Sequence, residues 1–290
     1  MGSRTSSPPD ISNVYYGCPE EWKPFASRNI EFVQRFGNLD KAIDVTFKRI
    51  HPAPTLLERT IYFLGRLVVE EFMEILMLCG NGYGIAAQKI LRGMYERAVT
   101  ARYLFQRPDE IENFLDFHKV SDHRFLQAIE ASMGEIFSKE EAAKIRQDFE
   151  AVKARFIITD CKACKTVRLN HTWSKVDIVS MARMNEDLWR LVVPAYYAPT
   201  RESHSTMSAI YSRLDVEGMK SGHGILFDGA AQRDRADQAL VTAHTILLNA
   251  LDLQKECFHI TEVEPVLQVC FADFLAIMKT HGDKPTAKQS

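Results

Sequence analysis

The 290-residue chain carries 36 Lys and Arg against 38 Asp and Glu, a formal net charge of −2, with 46% hydrophobic and 26% charged residues. That balance excludes a generally basic nucleic-acid coat and an acidic disordered tail. Gly and Pro number only 14 and 11, so turns are scarce and long helices are expected.

Residues 1–20 hold Pro8, Pro9, Gly17 and Pro19 among Ser and Asn and are expected to be a flexible lead. No apolar stretch follows the first ten residues, so neither a secretory signal nor a transit peptide is expected. Asn38 after Gly37 is placed as the cap of a first helix running to about His51, before the breaker Pro52-Ala53-Pro54. Thr55 with Glu58 has capping-box spacing and opens a long helix ending at Gly80-Asn81-Gly82. Ile61, Leu64, Val68, Phe72, Ile75 and Leu78 recur there at three- and four-residue steps and form one apolar face. Arg66, Glu70, Glu71 and Glu74 interrupt this most apolar stretch of the chain, so no helical membrane span is expected.

A second long helix is expected over Gly84 to Gln106, a third from Pro108 to near Gly134, and a fourth from Ser138, boxed with Glu141, to about Phe156. These four suit an up-and-down bundle. The stretch Ile157 to Thr172 has no clear period and reads as a loop or irregular ribbon. Helices resume at Ser174, Asn185 and Thr200, separated by Pro194 and Pro199, and residues 221–229 read as a short hairpin. A helix from about Ala231 to His259 follows, then a last one opened by Thr261 with Glu264 and ending near Thr280, before a disordered tail at 281–290. With no repeat or interior linker, the expected fold is all-α, a multi-helix bundle forming a single domain over residues 21–280.

Six cysteines are too sparse for a disulfide framework, which points to reduced thiols and a cytoplasmic location. Cys161 and Cys164, with His171 seven residues on, have metal-like spacing, but no second ligand pair follows, so a plain loop is preferred and no metal or cofactor is expected. A di-iron bundle would need two Glu-x-x-His motifs, and only Glu256 to His259 supplies one. Walker loops, dinucleotide fingerprints, HExxH and GxSxG are all missing.

Arg92 and Glu96 stand at i, i+4 on an otherwise apolar helix, either as a structural ion pair or as part of a polar pocket. Arg201 and His204 share a face of the helix expected to begin at Thr200, near its positive end. Ser203 beside His204 is not a catalytic Ser-His pair, because adjacent helical side chains diverge by roughly 100°. Between Lys153 and Lys175, six basic residues face Asp160 alone; RNA contact through residues 153–175 is one reading, with Trp173 and Phe156 for stacking, and a solvated loop is the other.

Two segments together resemble a bacterial helical family known as domain of unknown function number five-six-seven-seven. In AAQKILRGMYERAVTARYLFQRPDEIENFLDFHKV, Leu91-Arg92, Glu96 and Tyr103 match the family's Arg-x-x-x-Glu helix. In WSKVDIVSMA and YYAPTRESHST, Trp173, Ala182, Tyr196 or Tyr197, Ser203 and His204 match its second pattern, although here Ser203 and His204 are adjacent. The resemblance spans roughly Glu70 to His259 and implies an all-helical fold with a polar cluster between the Arg92/Glu96 helix and the His204 helix. It implies no known reaction.

The favoured expectation is a ligand- or partner-binding, regulatory module with a groove lined by Arg92, Glu96, Tyr197 and His204, helped by Arg201, Ser203 and Trp173. The alternative is a metal-independent ribonuclease of a bacterial defence or toxin system, with His204 as general acid or base and Arg92 or Arg201 holding phosphate. A homodimer through an apolar helix face is also expected.

Overall fold

A computed structural model describes residues 18–48, 55–161, 166–204, 207–211, 213–214 and 229–282. The capping box at Thr55 forms as its spacing predicts: Glu58 N donates to Thr55 Oγ1 at 3.3 Å and Thr55 N to Glu58 Oε2 at 2.6 Å. The helix it opens, α3 (Leu56–Gly80), buries Ile61, Leu64, Val68, Phe72 and Ile75 along one face. Helix α4 (Gly84–Gln106) follows after a tight turn in which Gly82 has a φ of 73°, a conformation that favours glycine. The third helix of this central layer comes from far along the chain. It is α11 (Arg233–Phe258), whose Ala236, Ala239, Leu240, Ala243, Leu247 and Leu251 pack on both α3 and α4. Gly84 sits where α11 starts, so close that a Cβ would stand 2.4 Å from Gln232 O.

Helices α1 (Trp22–Arg28) and α2 (Ile30–Phe47) come first in the chain, and α2 packs against α12 (Glu264–Gly282) through Phe32, Leu39, Leu267, Cys270 and Ile277. Helix α1 and the turn before it are tied to α11: Arg28 Nε donates to Asp237 at 3.0 Å, Asn29 Nδ2 to the same carboxylate at 2.8 Å, and Arg233 makes a two-toothed bond to Glu21. Helices α5 (Ile111–Met133) and α6 (Lys139–Val152) pair with each other around a smaller core of Val120, Phe149, Val152 and Phe156. They therefore do not complete a four-helix bundle with α3 and α4; α11 takes that place.

The fold is all-α, as expected, with one two-stranded antiparallel sheet among the described residues: β1 (Ile157–Cys161) pairs with β2 (Thr166–Leu169), with Ile157 opposite Leu169. This hairpin lies in the stretch read as a loop or irregular ribbon. The hairpin expected at residues 221–229 falls almost wholly outside the described residues.

Three boundaries differ. Asn38 caps nothing; it lies inside α2 and donates to Asp273 Oδ2 at 2.8 Å, because the apolar period from Phe32 to Phe47 runs through Gly37. Helix α7 (Ile178–Ala182) starts at Asp177, whose side chain accepts from Ser180 N, and not at Ser174. Asn185 does cap α8 (Glu186–Arg190), accepting from Leu188 N at 3.0 Å, but after a single turn residue, Leu191, the chain winds through a π-helical segment (Val192–Tyr197) directly into α9 (Ala198–Ser203). Pro194 and Pro199 thus sit within one helical run. A proline lacks an N–H and crowds the preceding turn, and the wider π turn before Pro199 accommodates both defects. Helix α10 (Met207–Tyr211) follows.

Candidate functional site

Helix α4 presents Arg92 and Glu96 one turn apart, and Arg92 Nε donates to Glu96 Oε1 at 2.9 Å. Both side chains are partly open to solvent, 28% and 40% exposed, so the pair is not enclosed in the bundle interior. The π-helical segment carries Tyr196 over it, with the Arg92 guanidinium 5.0 Å from the ring centroid, a cation–π geometry. Tyr196 is in turn packed against Tyr95, whose hydroxyl donates to Leu188 O at 2.8 Å and fastens α8 to α4. Nη1 and Nη2 of Arg92 have no hydrogen-bond partner among the described residues. The arginine is held in place by one nitrogen and one ring face, while its outer fork is open to a ligand.

Tyr197, the tyrosine assigned to the site from the sequence, stands beside this arrangement. It is half-exposed and meets Tyr196 edge-on at 5.6 Å, and Tyr196 is the ring that covers Arg92. Helix α9 packs on α4 and so brings its own residues near the same face. The helix ends, however, where the sequence predicts a beginning. Thr200 lies within α9, His204 is the exposed residue after its last turn, with extended backbone, and the end nearest His204 is the negative one. No hydrogen bond, ion pair or ring contact joins His204 to any described residue. Ser203 donates to Pro199 O at 2.8 Å, Thr200 to Tyr196 O at 2.6 Å, and Arg201 Nη2 to Ser208 at 3.4 Å, so these three are engaged within their own segment.

The polar patch continues beyond Glu96, through residues the sequence reading passed over. Arg97 Nη1 donates to Glu71 Oε1 at 2.5 Å, linking α4 to α3 across Gly93; a Cβ on Gly93 would lie 2.9 Å from Arg97 Nη1 and 3.0 Å from Glu71 Oε1. Glu71 Oε2 is buried with no partner. Burial, reinforced by the neighbouring carboxylates of Glu74 and Glu96, outweighs the attraction of Arg97 and pushes the Glu71 carboxyl up to about 7. Two ion pairs therefore start from neighbouring positions of α4: Arg92 with Glu96, under Tyr196, and Arg97 with Glu71, which reaches across to α3. In the sequence Glu71 registered only as one of four charges interrupting an apolar stretch; its pairing with Arg97 is a tertiary contact with no local signature.

A cavity of about 290 Å³ opens between α4, the π-helical segment with α9, and α11, lined by Gln88, Leu91, Pro194, Ala198, Asp237 and Thr242 among others. Its walls are mostly apolar, and Gln88 Oε1 is buried there without a partner. Leu91 directly precedes Arg92 and Pro194 stands two residues before Tyr196, so cavity and patch share their supporting elements.

The remaining sequence candidates lie elsewhere. Trp173 is half-buried, edge-on to Phe114 at 5.3 Å and Tyr103 at 5.8 Å, and borders a hollow of about 410 Å³ with Arg155, Asn170 and Lys175. Phe156 is 3% exposed and packs on Phe117, so its ring has no free face for the stacking that the RNA reading would use. Of the six basic residues between 153 and 175, Lys153 pairs with Glu150, Arg155 pairs with Asp116, and Lys162 and Lys165 lie outside the described residues. Cys164 and the Cys161 side chain also lie outside them, while His171 is exposed. Among the described residues no group of three His, Cys, Asp or Glu is placed to hold a metal ion. No helix among them is long and apolar enough to cross a membrane.

No curated protein and no solved structure is significantly similar to the chain. A family described as a family of unknown function, DUF5677, matches residues 60–221, which takes in α3, α4, the hairpin and the π-helical segment with Tyr196. The match covers over half of the chain, and the protein belongs to the DUF5677 family.

Proposed function

We propose that the protein is a ligand-binding module that holds an anionic group on the outer fork of Arg92, with the apolar part of the ligand directed to the neighbouring cavity. The observation that supports this reading is the way Arg92 is held: Glu96 takes Nε at 2.9 Å, Tyr196 covers one face at 5.0 Å, and the two terminal nitrogens are left over. A guanidinium fixed in this way has lost little further freedom to lose on binding, and its fork matches a carboxylate or a phosphate.

The test uses benzoate and uridine monophosphate as probes, titrated into the wild type and into the double variant Arg92→Met/Glu96→Leu. Saturable binding of one probe that the double variant loses, with its melting temperature unchanged, is the expected result. Absence of saturable binding, or binding that survives the double substitution, overturns the reading. The rival assignment, an RNA-cleaving effector using His204, is decided in the same preparation: RNA cleavage that disappears in His204→Ala would replace the non-catalytic reading.

A further inference from the structure

Helix α3 is covered by α4 and α11, and what remains exposed of it is a single stripe: Leu56, Arg59, Phe63, Leu67, Glu70, Glu74 and Met77. Every other residue of α3 is buried or half-buried. The steps between stripe residues are three or four, averaging about 3.5, the spacing of a seam between two helices. Four of the seven are large and apolar, with Leu56, Phe63, Leu67 and Met77 at 60%, 63%, 39% and 57% exposure. Along roughly 30 Å of helix, at 1.5 Å per residue, this is an apolar ridge with charges at fixed intervals.

The charges decide what fits it. We propose that a second copy of this chain covers the stripe, with the two α3 helices antiparallel about a two-fold axis passing between Arg66 and Leu67. A parallel pairing would stack Arg59 on its own copy and Glu70 and Glu74 on theirs, three like-charge contacts. The antiparallel pairing about that point places Leu56 against Met77 of the other copy, Arg59 against Glu74, and Phe63 against the methylene stem of Glu70. The stripe is nearly palindromic about this centre, which is what a two-fold interface requires, since each contact must occur twice. Apolar residues then meet at both ends and in the middle, with an opposite-charge pair between each end and the centre.

Light scattering and sedimentation of the full chain over a concentration series read the outcome. The wild type is expected at the mass of two chains, and Leu67→Glu at the mass of one with unchanged helix content. Arg59→Glu and Glu74→Arg are each expected to weaken dimerisation about tenfold, since each creates two like-charge contacts. The combined variant Arg59→Glu/Glu74→Arg is expected to restore it. Within one helix these residues stand about 22 Å apart at 1.5 Å per residue, so rescue arises only between copies. The proposal is overturned by a single-chain mass at every concentration, by a dimer that Leu67→Glu leaves intact, or by failure of the combined variant to recover.

Discussion

A buried histidine and a half-buried glutamate should contribute opposite pH dependences to stability in mild acid, and single substitutions should uncover both. His244 on α11 is 4% exposed and enclosed by Phe274, Phe32 and Phe72 at ring distances of 5.1, 5.6 and 6.4 Å, and its Nε2 has no partner. Burial lowers its pKa from 6.5 to about 4, only partly offset by Asp273. The folded state then binds fewer protons than the unfolded chain between these values, so stability falls as the pH drops from 6.5 towards 4, by about 3 kcal/mol in all. Glu71 acts in the opposite sense. Its carboxyl is raised from 4.5 to about 7, so the folded state binds more protons than the unfolded one. Its contribution is complete below pH 4.5 and is lost as the pH rises through 7, again by about 3 kcal/mol. Between pH 4.5 and 6.5 the two slopes oppose each other. Urea unfolding at half-unit pH steps should therefore show the contributions of Glu71 and His244 largely cancelling in the wild type in this window. Glu71→Gln should leave the His244 slope, with stability rising by roughly 1 kcal/mol per pH unit, and His244→Leu should leave a fall of similar size. A Glu71→Gln profile with the same slope as the wild type would refute the assignment of a protonated, buried carboxyl to this position.

Other expectations follow from single contacts. Gly84→Ala drives a Cβ into backbone atoms of α11, Gln232 O at 2.4 Å and Ala236 N at 2.5 Å, and should destabilise by about 2 kcal/mol, whereas Gly37→Ala, with nothing within 4 Å, should gain about 0.5–1 kcal/mol from helix propensity. Chemical denaturation of the pair compares them directly. Tyr95→Phe removes the donor to Leu188 O and should cost about 1–2 kcal/mol while loosening α8, visible as faster amide exchange there. His259 caps α11 with a φ of 52°, so His259→Gly should raise the thermal midpoint by an amount equivalent to about 0.5–1 kcal/mol.

The long helices were legible because their ends and faces are written locally. Thr55 with Glu58 and Ser138 with Glu141 close capping boxes through atoms three residues apart, and the apolar steps from Ile61 to Ile75 mark the face that meets α4 and α11. Which helix joins α3 and α4 was not legible, because α5 and α11 both follow helical periods and only the full set of contacts chooses between them. In the site, the i, i+4 pair Arg92 and Glu96 could be read from its spacing, while the pairing of Glu71 with Arg97 joins two helices and has no spacing to read.

The proline rule explains the largest departure. It places a break wherever a proline would sit inside a helix, because an unwidened α turn has no room for the ring and loses a hydrogen bond. Here the run from Val192 to Ser203 escapes that cost by passing through a π-helical segment, in which Ala198 N bonds back to Val193 O. The same widened segment rotates Tyr196 onto Arg92, lines the cavity with Pro194, and delays the end of the helix until Ser203, leaving His204 on its negative side. One local irregularity thus moves the tyrosine that covers the arginine, the wall of the adjoining cavity and the position of the histidine. Replacing Pro199 by Ala would remove the need for the wide turn, and a shift of Tyr196 away from Arg92 in that variant is the structural consequence this reasoning demands.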